Sequence, residues 1–174
     1  YSNQKQYYNG EFTEFDLDIN DFKGGIYLRH IPHIKLSVNL SKSVADNITF
    51  QNGNLSTQDK DRGFDQSRIW TSVSLDKNYS LFFDGVGLSM SMENRSFSSS
   101  IVSDLLHMGR SHRDRKISIW VKKQIYNKLN AKFSGSYRSR STKSSEEFVE
   151  GLKSFNKYDF FMTFTYNSNF NIYY

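Results

Sequence analysis

Apolar and polar residues alternate along most of this chain with a period of two. The longest run is the last one. From position 158 the even residues read Tyr158, Phe160, Met162, Phe164, Tyr166, Ser168, Phe170, Ile172 and Tyr174. The odd ones read Asp159, Phe161, Thr163, Thr165, Asn167, Asn169, Asn171 and Tyr173. Successive side chains of a strand point to opposite faces, so this predicts one strand with an apolar and a polar side. It is far longer than the usual strand of about five or six residues.

Other segments repeat the pattern. Phe15, Leu17 and Ile19 alternate with Glu14, Asp16 and Asp18, and Ile34, Leu36, Val38 and Leu40 with Lys35, Ser37, Asn39 and Ser41. Ile69, Thr71, Val73 and Leu75 alternate with Arg68, Trp70, Ser72 and Ser74. Ile117, Ile119 and Val121 stand against Lys116, Ser118, Trp120 and Lys122. Leu129, Ala131, Phe133, Gly135 and Tyr137 stand against Asn130, Lys132, Ser134, Ser136 and Arg138. Segments at 26–31 and 79–92 complete eight predicted strands. The second of these changes phase after Phe83, and a bulge at Asp84-Gly85 accounts for the slip.

Turn signals divide the strands unequally. Pro32-His33, Asp76-Lys77-Asn78 and Tyr126-Asn127-Lys128 predict tight turns, whereas 44–67, 93–115 and 142–157 are long polar connections. Residues 20–24 form a short connection at the end where long ones are otherwise expected. Residues 101–108 are the one amphipathic helix candidate, placed within a long loop. A weak repeat of 50 residues relates Trp70 to Trp120, Phe83 to Phe133 and Gly85 to Gly135. Each pair is expected at one place in a repeated long hairpin.

Composition narrows the class. At 174 residues a single domain over 1–174 is expected. With 15 Phe and 11 Tyr the chain is too aromatic for disorder. The absence of Cys removes disulfides, thiolate metal sites and cysteine nucleophiles. No apolar run approaches the length of a membrane-crossing helix. The chain opens on Tyr1 with no leader, as expected of a mature chain or a fragment. The net charge of +5 comes from scattered basic residues, so no nucleic-acid partner is expected.

Strands of ten or more residues, aromatic residues near strand ends and a polar opposite face together predict an all-β, antiparallel up-and-down transmembrane barrel. Its setting would be the bacterial outer membrane and its surroundings outer-membrane lipid. The long connections would share one rim and the tight turns the other, with both ends of the chain on the tight-turn side. A lipocalin-like soluble barrel would need an apolar interior, and these polar faces are Ser, Thr, Asn and charged residues.

The terminal segment resembles the C-terminal assembly signal of outer-membrane proteins. Tyr166, Phe170, Ile172 and Tyr174 match an aromatic last residue preceded by apolar residues at alternate positions, and Ser168 departs from it. That resemblance implies the barrel-assembly machinery as a partner. Over about residues 85–174, Arg113-Asp114-Arg115, a strand bearing Trp120, a short turn, Phe133 to Arg138 and a Ser-rich loop resemble the C-terminal barrel of surface lipoprotein assembly modifiers. They resemble barrels of polysaccharide-export proteins equally. These resemblances imply a lipoprotein or polysaccharide client. The modifiers are larger barrels behind a helical-repeat domain, for which this chain has no pattern. A C-terminal fragment of such a protein and a likeness general to outer-membrane barrels both remain open.

Candidate chemistry lies on the polar face. Glu14, Asp16 and Asp18 form an acidic row, and Arg29, Lys35, Arg68, Lys116, Lys122, Lys132 and Arg138 supply bases. In a narrow interior such charges are expected to pair as a structural network, because desolvated ions need partners. His30 and His33 flank Pro32, while His107 and His112 lie in or near a long connection. Neither pair has a third ligand nearby, so no metal, cofactor or catalytic residue is assigned. The expected function is non-enzymatic: export, surface presentation or anchoring. The alternatives are a small outer-membrane enzyme acting on lipids, which would need an acid, a His and a Ser clustered on one rim, and a soluble periplasmic β-barrel binding protein.

Overall fold

The computed structural model describes residues 1–7, 16–29, 31–48, 61–76 and 82–166. They form eight strands in one antiparallel sheet: β1 (Ser2–Gln6), β2 (Leu17–Leu28), β3 (Ile34–Asn47), β4 (Phe64–Asp76), β5 (Gly85–Phe97), β6 (Ser111–Tyr126), β7 (Leu129–Lys143) and β8 (Phe155–Tyr166). Each strand pairs with the next in the chain, so the order is up-and-down throughout. One short helix, α1 (Glu147–Lys153), lies between β7 and β8. The all-β, eight-stranded expectation is met, although not strand for strand.

Three differences have physical causes. Residues 17–28 form one strand, with no connection at 20–24. Its two apolar sets, Leu17 and Ile19 against Phe22, Ile26 and Leu28, have opposite parity because each faces a different side. β1 lacks any apolar alternation and pairs with β2 from Ser2 opposite Asp21 to Gln6 opposite Leu17. It is a strand because β2 offers it a backbone edge. The Asp84-Gly85 slip marks where β5 begins and is not a bulge, since Gly85 pairs with Asp76 and the register runs unbroken from there; Lys77 and Asn78 of the predicted turn lie outside the described residues. The register shift in the sheet falls instead between Gln124 and Tyr126.

Two tight turns follow their sequence signals. Ile34 N–H donates to Ile31 O at 3.1 Å across Pro32 and His33. Proline sets the first central position, and His33 takes φ 67°, the left-handed conformation of a type II turn. Asn127 and Lys128 join β6 to β7. The strand ends that lead into 7–16, 48–63, 98–110 and 144–154 lie together at the opposite end.

The 50-residue repeat is not structural. Phe83 precedes β5, whereas Phe133 pairs with Met162 in the body of the sheet. The helix candidate at 101–108 is a series of turns ended by Gly109 at φ 63°. The helix lies instead at α1, whose Val149 is fully buried.

Candidate functional site

Cross-strand partners share a face, so the register sorts every strand residue. One face carries an apolar band that runs unbroken from β2 to β8. Ile26 meets Val38, Val38 meets Thr71, Thr71 meets Met90, Met90 meets Ile117, Ile117 meets Tyr137 and Tyr137 meets Tyr158. The next row towards the tight turns adds Leu28, Leu36, Val73, Leu88, Ile119 and, across Gly135, Phe160. Phe160 is 81% exposed, and Ile26, Leu40, Met90, Ile119 and Phe164 are also exposed. Tyrosines mark both edges. Tyr126 and Tyr166 stand at the tight-turn edge, opposite Leu129. At the other edge the Tyr137 and Tyr158 rings lie 4.9 Å apart, and Tyr137 Oη donates to Asn156 Oδ1 at 3.0 Å. Beyond that edge the same face becomes basic, and Arg113, Arg115 and Lys143 line a shallow groove.

The opposite face is mostly polar, with Trp70, Trp120 and Phe161 along it, and carries an apolar row beneath the long connections. There Ile19, Ala45, Phe64 and Phe97 form one row across four strands. Among the described residues the only buried hydrophobic side chains are Leu17, Ala45, Phe64, Ala131 and Val149. That is too small a core to account for the fold by burial in the usual way.

The predicted charged residues are placed as follows. Lys35, Arg68, Lys132 and Arg138 share the polar face. Lys35 pairs with Asp76 at 2.8 Å, and Lys132 lies 5.1 Å from the Trp120 ring. Arg138 is bidentate on Asp114, with Nε 2.8 Å from Oδ1 and Nη2 2.8 Å from Oδ2. Arg140 Nε adds a third donor to Asp114 at 2.9 Å. Lys116 stands opposite Arg138 and Lys122 opposite Lys132. Asp18 stands on the other face, opposite Asp46 and Lys5, and accepts from Asn3 Nδ2 at 2.6 Å. Asp16 is buried just before β2, and its carbonyl accepts from Ile48 N–H at 3.2 Å. Arg29 follows β2 and is exposed. Tyr166 ends β8. Glu14, Phe170, Ile172, Tyr174 and His30 lie outside the described residues.

Asp114, Glu93, Arg95 and Arg140 carry the densest polar contacts, and sequence reading missed their conjunction. Arg95 Nε donates to Gln66 Oε1 at 2.8 Å, and its guanidinium lies 4.1 Å over the Phe64 ring. Glu93 is 3.6 Å from Arg95 and 3.8 Å from His112 Nε2. The alternate spacing of Arg95 with Phe97 and of Arg138 with Arg140 is the one local signal of a shared face.

Above this row the long connections fold onto one another. Asp104 Oδ2 accepts from Asp61 N–H at 2.9 Å and from Ser99 Oγ at 3.1 Å, and its Oδ1 faces His107 Nδ1 at 2.9 Å. Burial pulls the His107 imidazole below its ordinary range, although Asp104 opposes that shift. Ser98 N–H donates to Gly63 O, and Phe97 N–H to Arg110 O, both at 2.9 Å. Below them lies a cavity of about 310 Å³ bounded by Leu17, Phe64 and Phe97, with Arg62, Arg95, Arg110, Arg140 and Lys153 around it. Gln6 of β1 and Arg140 of β7 both line it, so the sheet curls about its polar face. Burial, followed by the neighbouring Arg95, lowers Arg110 to about 10, which still leaves it charged at neutral pH.

Ser99, Asp104 and His107 form the acid, imidazole and hydroxyl group that rim chemistry would need. Their order is wrong for nucleophilic catalysis. The serine bonds to the carboxylate rather than to the imidazole, and all three are buried. Among the described residues no cluster of three His, Asp or Glu is placed to hold a metal ion. No protein-family model, no curated protein and no solved structure matches this chain.

Proposed function

We propose that this chain is a non-enzymatic β-barrel of the bacterial outer membrane, serving export, surface presentation or anchoring. One observation carries the proposal: the apolar band spans seven strands, is exposed, and is edged by tyrosines on both sides. From Ile34 to Leu40 on β3 and from Leu129 to Tyr137 on β7, it covers about 20–26 Å of strand at ~3.3 Å per residue. At the ~35–45° tilt of barrel strands that length gives a band about 14–21 Å tall, approaching the ~25 Å of a lipid-facing band between aromatic girdles. In water the same surface would be an aggregation hazard. Arg113, Arg115 and Lys143, just beyond the band, suit the anionic headgroups of a lipid leaflet.

A barrel in hydrocarbon leaves no open edge, since unpaired backbone groups there cost several kcal/mol each. The edges at β1–β2 and at β8 must therefore be covered, either by each other in an eight-stranded barrel or by further strands of a larger one. Assembly would involve the barrel-assembly machinery, with a lipoprotein or polysaccharide as client.

The test compares Phe164→Arg with Thr165→Arg during folding into lipid vesicles. Phe164 is on the apolar face and Thr165 on the polar one, at adjacent positions of the same strand. Arginine on a lipid-facing position costs about 2–4 kcal/mol near the midplane. Phe164→Arg should fold poorly and Thr165→Arg nearly as well as the parent. Equal folding would remove lipid as the medium and favour a soluble binding module.

A further inference from the structure

The cavity beneath the connection at 98–110 collects positive charge. Arg62, Arg95, Arg110, Arg140 and Lys153 are among its lining, and among the described residues no carboxylate lines it. Glu93, Asp104 and Asp114 lie close to these lining residues. Asp114 is already committed to Arg138 and Arg140, and Asp104 to Asp61, Ser99 and His107. Glu93 is left to Arg95 and His112 at 3.6 and 3.8 Å, longer than a hydrogen bond.

Two polar atoms at the wall have no hydrogen-bond partner, Arg110 Nε and His112 Nε2. Both residues are 9% exposed, so bulk water does not serve them freely. Leaving a buried donor unmade costs about 1–3 kcal/mol, and more for a charged group. Their surroundings also hold them in place. Arg110 lies 3.8 Å over the Phe97 ring, and Arg95 lies 4.1 Å over Phe64, so both guanidiniums have a fixed apolar support. Planar, immobilised guanidiniums are suited to bidentate contact with a phosphate or carboxylate.

We propose that this cavity binds a small oxyanion, a phosphate or carboxylate group carried on an organic molecule, with Arg110, Arg95 and Lys153 as its principal contacts. At roughly 30 Å³ per water, the space holds about ten waters, more than one bare anion needs. Residues 61–63 and 98–110, held together through Asp104, border it. The proposal does not depend on the medium that covers the apolar band, because the cavity lies on the opposite face.

The test is calorimetric titration of the folded full chain with inorganic phosphate, glucose 1-phosphate and glucuronate, at low chloride. Saturable binding of at least one of them is expected, weakening as chloride rises. Arg110→Gln should weaken it at least tenfold, Lys153→Gln several-fold, and Arg113→Gln, on the opposite face, not at all. Binding by the phosphates alone would assign a phosphate source, and by glucuronate alone a carboxylate source. If Arg110→Gln loses its folded circular dichroism spectrum, Lys153→Gln on exposed α1 decides the matter. No saturable binding by the parent chain, or parental affinity in every folded cavity variant, overturns the proposal.

Discussion

The indole of Trp120 lies flat against Gly87, its cross-strand partner, so closely that a Cβ at position 87 would fall 2.5 Å from the ring. A Cβ at position 85 would likewise lie 3.3 Å from the same ring. Trp120 is thus held on the polar face by a strip of missing side chains, with Lys132 on its other side. Gly87→Ala should cost about 1–3 kcal/mol by forcing the ring aside. In a Trp120→Leu background the same change should cost much less. Urea midpoints of the four proteins in this cycle measure the coupling.

Asp114 anchors two arginines while only 5% exposed, whereas Asp65, paired with Lys42, is more than half exposed. Asp114→Asn should destabilise by about 2–3 kcal/mol, since Arg138 and Arg140 lose charged acceptors but keep some access to water. Asp65→Asn should stay within roughly 0.5 kcal/mol. Equal unfolding midpoints would show that the Asp114 cluster carries no stability.

The depressed pKa of His107 makes the loop roof sensitive to acid. Its folded value lies below the unfolded one of about 6.5, so between the two the unfolded chain holds more protons. Stability is therefore fully present above about pH 6.5 and is lost as pH falls through the folded value. Amide protection factors at Phe97 and Ser98, whose N–H groups tie the connections, should fall on that side. His107→Gln should flatten the dependence.

The Asp104 carboxylate accepts from Asp61 N–H and so ties the connection at 98–110 to residues 61–63. Asp104→Ala should open the roof and expose Arg62 and Arg110 to trypsin. Ser103→Ala, which removes none of these contacts, should leave cleavage at the parental rate. Timed digestion followed by mass mapping distinguishes the two.

Much of the fold was legible because its signal is local. β3, β4, β6, β7 and β8 each alternate strictly, and the pleat converts alternation into faces without help from other strands. Pro32 and the Asn127-Lys128 pair likewise mark turns through their own backbone preferences. Asp18 shows where that logic ends. Alternation placed it opposite Leu17 and Ile19, as it is, but the expectation that the acidic row faces the polar side fails for Asp18. Leu17 and Ile19 turn there because the Phe64 and Phe97 rings and the connections above them supply a local apolar roof.

By itself, the sequence determined the strand period and the placing of long connections at one end, since each follows from neighbours in the chain. Only the tertiary structure decided that Ser2–Gln6 is a strand, that 17–28 is continuous, and that Arg62, Arg95, Arg110, Arg140 and Lys153 surround one cavity. Those outcomes depend on register and curl, which bring together residues tens of positions apart whose local patterns carry no trace of one another.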